Sequence, residues 1–144
     1  MSTTAPQPAK LLYTARVHTT GGREKGEARS SDGRLNVKLS VPGGPGNGTN
    51  PEQLLAAGWS ACFESAMAVV AEQKKISLPA DLAINAEVDL NVTAAGDYFL
   101  RARLNVRVPS VERSIAQGLV DAAHQICPYS KAMRGNIDVV IDLI

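Results

Sequence analysis

Residues 48–73, GTNPEQLLAAGWSACFESAMAVVAEQ, are the stretch on which the fold turns. The opening is punctuated as a helix start, with Thr49 or Asn50 at the capping position, Pro51 in the first turn, and Glu52 and Gln53 close behind. Proline favours the first helical position, where its missing N–H would have had no partner anyway, so Asn50 is the expected cap. From Leu54 to Val70 the residues are apolar nearly all round, interrupted mainly by Gly58, Ser60, Glu64 and Ser65. A surface helix would show a single apolar stripe. The pattern therefore predicts a long buried helix with Cys62 set inside it, ended by AEQKK and Leu78-Pro79.

Before this helix, PGGPGNGT at 42–49 is a loop, since glycine is too free and proline lacks a donor. Upstream, LNVKLSV alternates strictly at Leu35, Val37, Leu39 and Val41, and SDGR supplies an Asp-Gly hairpin signal ahead of it. EARS is a further short extended segment, GGREKG a glycine-rich turn, and LLYTARVHT an alternating strand with Tyr13, Ala15 and Val17 on one face. These elements predict an N-terminal three-stranded meander, preceded by a flexible tail over residues 1–9.

Beyond the helix, LAINAEVDLNV and YFLRARLNVRV alternate as a β-hairpin, with Ile84, Ala86, Val88 and Leu90 answering Ala102, Leu104, Val106 and Val108. A turn centred near Ala95 would set Glu87 opposite Arg103 and Asp89 opposite Arg101, so the arginines read as half of a charge-paired outer face. A second helix follows Pro109 with Ser110 as cap and Ile115, Leu119, Ala122 and Ile126 as its apolar stripe, and Pro128 stops it just past Cys127. IDVVIDLI is a closing strand. The class is α+β, one domain over residues 10–144.

With 144 residues and 44% hydrophobic content the chain can build a real core, and a net charge of +1 spread along it leaves no basic stripe for nucleic acid and no polybasic membrane patch. The first ten residues do not look like a secretory leader, and no run approaches the roughly 18 apolar residues of a membrane span, so a cytoplasmic location is expected. Two cysteines in a reducing compartment are seldom a structural bridge. They are either inert buried thiols or reactive ones.

A thiol in apolar surroundings is unreactive unless a cation favours its thiolate. Arg23, on the glycine-flanked turn GGR, is the candidate cation. Glu52, in the first turn of the long helix, either simply caps the exposed amides or accepts a bidentate bond from Arg23. Ten helical residues between Glu52 and Cys62 span about 15 Å, too far for one arginine to bridge. Either the helix breaks near Gly58, or the groups meet a Cys62 of another subunit; the apolar helix favours the second, a homodimer with pockets at its interface. His124 and Cys127 stand i, i+3 and Cys62 could add a third metal ligand, but the chain has only two histidines and no CxxC or HExxH pattern, so no metal is expected.

TNPEQLLAAGWSACF, GGR with SSDG, and AAHQICPYSKAMRGNIDVV, in this order and spacing, resemble the organic hydroperoxide resistance (Ohr) family of the OsmC/Ohr group, over nearly the whole chain from Leu12. The resemblance implies an OsmC-like fold in an intertwined homodimer, and a peroxidase for alkyl and lipid hydroperoxides with a redox-active disulfide and no cofactor. It implies Cys62 as the peroxidatic cysteine, Cys127 as the resolving one, Arg23 as the thiolate's partner and Glu52 as the carboxylate holding Arg23. It also implies a dithiol reductant of the lipoylated-protein type. Lys131 and Met133 stand where the family commonly has Asn and Thr, the 42–49 loop is shorter and the turn after Arg23 longer, all bearing on the pocket mouth. A broader thiol oxidoreductase and a non-catalytic apolar-ligand or zinc-holding module are the competing classes.

Overall fold

The structure, a computed structural model, describes residues 9–144. The expected tail at 1–9 falls, except for Ala9, outside the described residues. The chain divides after Asn50 into two compact units.

The N-terminal unit is the predicted meander. Strands β1 (Val17–Thr20), β2 (Glu27–Ser30) and β3 (Asn36–Lys38) pair antiparallel in that order. Between β1 and β2 the GGREKG turn winds into a single helical turn, α1 (Gly22–Lys25). Its glycines serve closure: Gly21 and Gly22 take φ of 77° and 71°, and a Cβ on Gly26 would lie 2.2 Å from the Gly22 carbonyl oxygen and 2.3 Å from that of Thr20. The Asp-Gly signal is met, with Gly33 at φ 75° and Asp32 accepting from the Arg34 N–H at 3.0 Å. The strand expected over 11–19 is corrected to Val17–Thr20, because four-residue β2 offers no pairing partner further back. Leu11, Leu12 and Tyr13 are left 75–86% exposed.

The C-terminal unit is built on α2 (Pro51–Gln73), β4 (Ala83–Val92), β5 (Tyr98–Arg107), α3 (Arg113–Ile126), α4 (Pro128–Met133) and β6 (Asp138–Leu143). Pro51 is the first helical residue, as its chemistry demands. α2 packs on β4, α3 and α4. The buried side chains Trp59, Phe63, Ala66, Met67, Val70 and Ala71 lie on one stripe of it. Burial of each large one contributes about 1.5–3 kcal/mol. The expected all-round burial is thus met on one face only; Ala57, Ala61, Ala68 and Val69 are exposed on the other. Contrary to the expectation about apolar runs, α2 is long and apolar enough by length and composition to cross a membrane. Its fully buried Trp59, Phe63 and Met67 give it the place of a core helix.

β5 is the centre of the second sheet, antiparallel to β4 and parallel to β6. The expected hairpin register holds, with Glu87 opposite Arg103 and Asp89 opposite Arg101. Arg103 keeps its expected partner and also reaches diagonally to a second carboxylate. Arg103 makes a two-pronged bond to Asp89, 2.8 Å on each prong, and a third to Glu87 at 3.0 Å. Arg101 turns to Asp138 at 3.7 Å and lies 5.3 Å over the Phe99 ring. Arg103 holds the Asp89 carboxyl below its ordinary range, but at this exposure such pairs contribute little to stability.

α3 corrects two expectations. Its cap is Glu112, whose carboxylate accepts from the Ile115 N–H at 3.2 Å, and Ser110 sits instead at φ 66°, outside the extended backbone a cap needs. Its buried face is Ala116, Leu119, Val120 and Ala123; Ile115 and Ile126 lie exposed on its rim. Pro128 stops α3 as expected and also begins α4, a helix the alternation and capping signals do not predict.

Candidate active site

Cys62 projects from the middle of α2, one turn after Gly58 on the same face. Cys127 occupies the junction of α3 and α4. Its N–H donates to the Ala123 carbonyl at 2.8 Å, closing α3, and its own carbonyl accepts from the Lys131 N–H at 2.9 Å, opening α4. Two helix ends thus fix one residue. Both cysteines are free thiols; Cys127 is fully buried and Cys62 partly exposed.

The fold sets these two thiols, 65 positions apart in the numbering of Cys62 and Cys127, close enough to act on each other's ionisation. Burial pushes the Cys62 thiol up from its ordinary value, the Tyr129 backbone N–H works the other way by favouring the thiolate, and the neighbouring Cys127 adds a further upward push. The net direction is upward. Within this unit, then, Cys62 is a poor nucleophile at neutral pH, and a cation is needed to make it a good one.

Glu52 is in the first turn of α2, and that helix runs unbroken through Gly58 to Gln73, so its carboxylate is about 15 Å along the axis from Cys62 of the same chain. A break at Gly58 is therefore eliminated. Arg23 lies in α1 of the N-terminal unit, half-buried in its tight glycine turn.

α4 is firmly seated. The Trp59 indole N–H donates to the Ser130 hydroxyl at 3.1 Å, both side chains being fully buried. The Arg134 guanidinium donates to the His124 carbonyl at 2.7 Å, and its N–H to the Ser130 carbonyl at 2.9 Å. His124 is packed in place: its Nδ1 is buried with no partner among the described residues, and burial, aided by the Arg134 charge, holds its pKa down. His18 is in β1, opposite Arg29. Among the described residues no cluster of three or more His, Cys, Asp or Glu could hold a metal ion. Lys131 is exposed, whereas Met133 packs against the core. Gly58, Trp59, Tyr129 and Ser130 were not singled out by sequence reasoning as parts of the site; the glycine inside a helical pattern was the one available signal.

Against known proteins, residues 43–142 match the family described as OsmC-like protein. The chain is 49% identical over 140 residues to the organic hydroperoxide resistance protein of Xanthomonas axonopodis pv. citri, covering 94% of this chain and 97% of that one. It superposes on the Bacillus subtilis organic hydroperoxide resistance protein OhrB with a TM-score of 0.86 at 41% identity, over 93% of this chain and 100% of that one. An organic hydroperoxide resistance protein from Legionella pneumophila gives a TM-score of 0.86 at 43% identity, over 93% and 98% of the two chains.

Proposed function

The chain belongs to the organic hydroperoxide resistance family of OsmC-like proteins, and on that footing we propose that it is a thiol peroxidase that reduces alkyl and lipid hydroperoxides. Its role is defence against organic hydroperoxides under oxidative stress. The observation that carries the chemistry is the cysteine pair, one sulfur partly exposed and the other fully buried beside it. The exposed one meets substrate and the buried one finishes the reaction.

The Cys62 thiolate attacks one peroxide oxygen, and the O–O electron pair leaves on the other as alkoxide, which takes a proton to become the alcohol. Cys62 is then a sulfenic acid. The Cys127 sulfur displaces its hydroxyl, water departs with the Cys127 proton, and a disulfide remains. The peroxide has taken two electrons from two thiols. A dithiol reductant, of the lipoylated-protein type by family resemblance, reopens the bridge by exchange. A reducing cytoplasm suits a pair that must be returned to thiols each cycle.

Arg23 supplies the cation that Cys62 lacks within its own unit, and Glu52 holds its fork in place. Because Glu52 and Cys62 of one unbroken helix stand about 15 Å apart, the site is shared between two copies of the chain. The exposed apolar side of α2, with Val69 47% exposed, the bare Leu11, Leu12 and Tyr13, and the hairpin end at Leu90, Val92 and Tyr98 support such a homodimer. Sedimentation at micromolar concentration should show twice the chain mass. A stable and fully active monomer would end the shared-site reading.

Apolar surroundings favour an alkyl substrate. Burying a tert-butyl group contributes about 2 kcal/mol, so tert-butyl hydroperoxide should react roughly thirtyfold faster than hydrogen peroxide. Equal rates on the two would point to a broader thiol oxidoreductase.

A further inference from the structure

We propose that Gly58 is a positioning residue for the cysteine pair: the space where its side chain would stand is the seat of the Tyr129 ring, and seating that ring holds the Cys127–Tyr129 segment against Cys62. A Cβ at position 58 would lie 2.5 Å from Tyr129 Oη, 3.0 Å from Cζ and 3.3 Å from Cε2. All three of these nearest atoms belong to the Tyr129 phenol. Glycine inside a helix costs about 1 kcal/mol relative to alanine, so the long α2 carries a local penalty at this one position. The packing of Tyr129 is what that penalty secures.

The next residue repeats the arrangement. Trp59 hydrogen-bonds Ser130 just as Gly58 receives Tyr129, so consecutive residues of α2 engage consecutive residues of α4. Cys62 stands one turn beyond Gly58 on the same side, and there it meets the Tyr129 N–H and the Cys127 thiol. Gly58 touches no substrate. It acts through Tyr129, and what it sets is how readily the two sulfurs can join.

This role rests on the redox-pair reading above, and its test separates the two. Diamide converts two thiols to a disulfide by taking their two hydrogens across its N=N bond, with no peroxide involved. The reduced full-length chain and the variants Gly58→Ala, Tyr129→Ala and the double variant are treated with diamide at a temperature where circular dichroism shows each folded, and free thiols are counted over time. Parallel samples receive one equivalent of tert-butyl hydroperoxide with dimedone present to trap sulfenic acid.

Gly58→Ala should close its disulfide roughly tenfold more slowly, or slower still, and accumulate the dimedone adduct. Adding Gly58→Ala to Tyr129→Ala should change nothing further, because the ring that met the new methyl group is gone. Closure of Gly58→Ala at the unsubstituted rate overturns the proposal, and so does a double variant slowed beyond Tyr129→Ala by the factor seen for Gly58→Ala alone. If Gly58→Ala does not fold, a folded double variant supports the seat, and a double variant that fails where Tyr129→Ala folds overturns it. A chain inert to peroxide that still shows the diamide pattern loses the peroxidase reading and keeps the positioning role. A merely structural Gly58 would lower the melting temperature and leave closure unmoved.

Discussion

Cys62→Ser should abolish turnover of organic hydroperoxides, whereas Cys127→Ser should consume one equivalent per chain and then stall. A serine hydroxyl at position 62 has no ionised form near neutral pH and cannot open the O–O bond. In Cys127→Ser the first step survives, because the partly exposed sulfur remains, but no thiol follows to displace the sulfenic hydroxyl. The difference between no oxidation and exactly one separates attacking from resolving sulfur. Consumption of tert-butyl hydroperoxide with and without a dithiol reductant reads it out. Full activity in Cys62→Ser, or continued cycling through a disulfide-free Cys127→Ser, would reverse or dissolve the assignment.

Arg23→Ala should raise the Cys62 pKa and slow the reaction at neutral pH by roughly 10- to 1,000-fold, the range expected when a neighbouring opposite charge worth one to three pKa units is lost. The sign follows from the site. Burial already pushes the Cys62 thiol above its ordinary value, and only the Tyr129 N–H opposes this within the C-terminal unit. A raised pKa means less thiolate at pH 7, so in the variant the rate should go on climbing through and beyond about pH 8.5, the ordinary thiol value. With Arg23 in place the rate should level off at lower pH. Arg23→Lys should recover part of the loss, since a point charge replaces the fork but cannot grip Glu52 at two points. A Cys62 titration that coincides in Arg23→Ala and the unsubstituted chain would remove Arg23 from the ionisation.

The fold was legible where local chemistry is strict. Asp32-Gly33 fixed the second turn of the meander, Pro51 fixed the start of α2, and alternation set the register of β4 on β5 down to Glu87 against Arg103. It was less legible where a choice depends on what lies across from the chain. The segment at 11–16 alternates like a strand, yet pairing ends where β2 ends. α3 carries two overlapping apolar stripes, and the smaller Ala116, Val120 and Ala123 are the ones buried, leaving Ile115 and Ile126 outside. Pro128 stops one helix and starts another, and a sequence shows only the stop.

The site divides the same way. The cysteines could be marked as candidates because thiols are scarce in this chain, and their adjacency became visible only once α4 was seen to fold back onto α2. From the sequence alone, Gly58 is a point where α2 could break. Its value lies in the opposite property, since the helix continues and the missing side chain admits Tyr129.

The most direct test is the intact mass and free-thiol count of the reduced chain after one equivalent of tert-butyl hydroperoxide. The account predicts a loss of two hydrogens from each chain, with Cys62 and Cys127 consumed together and joined within that chain. A chain that keeps both thiols, or whose disulfides join separate chains, would contradict it.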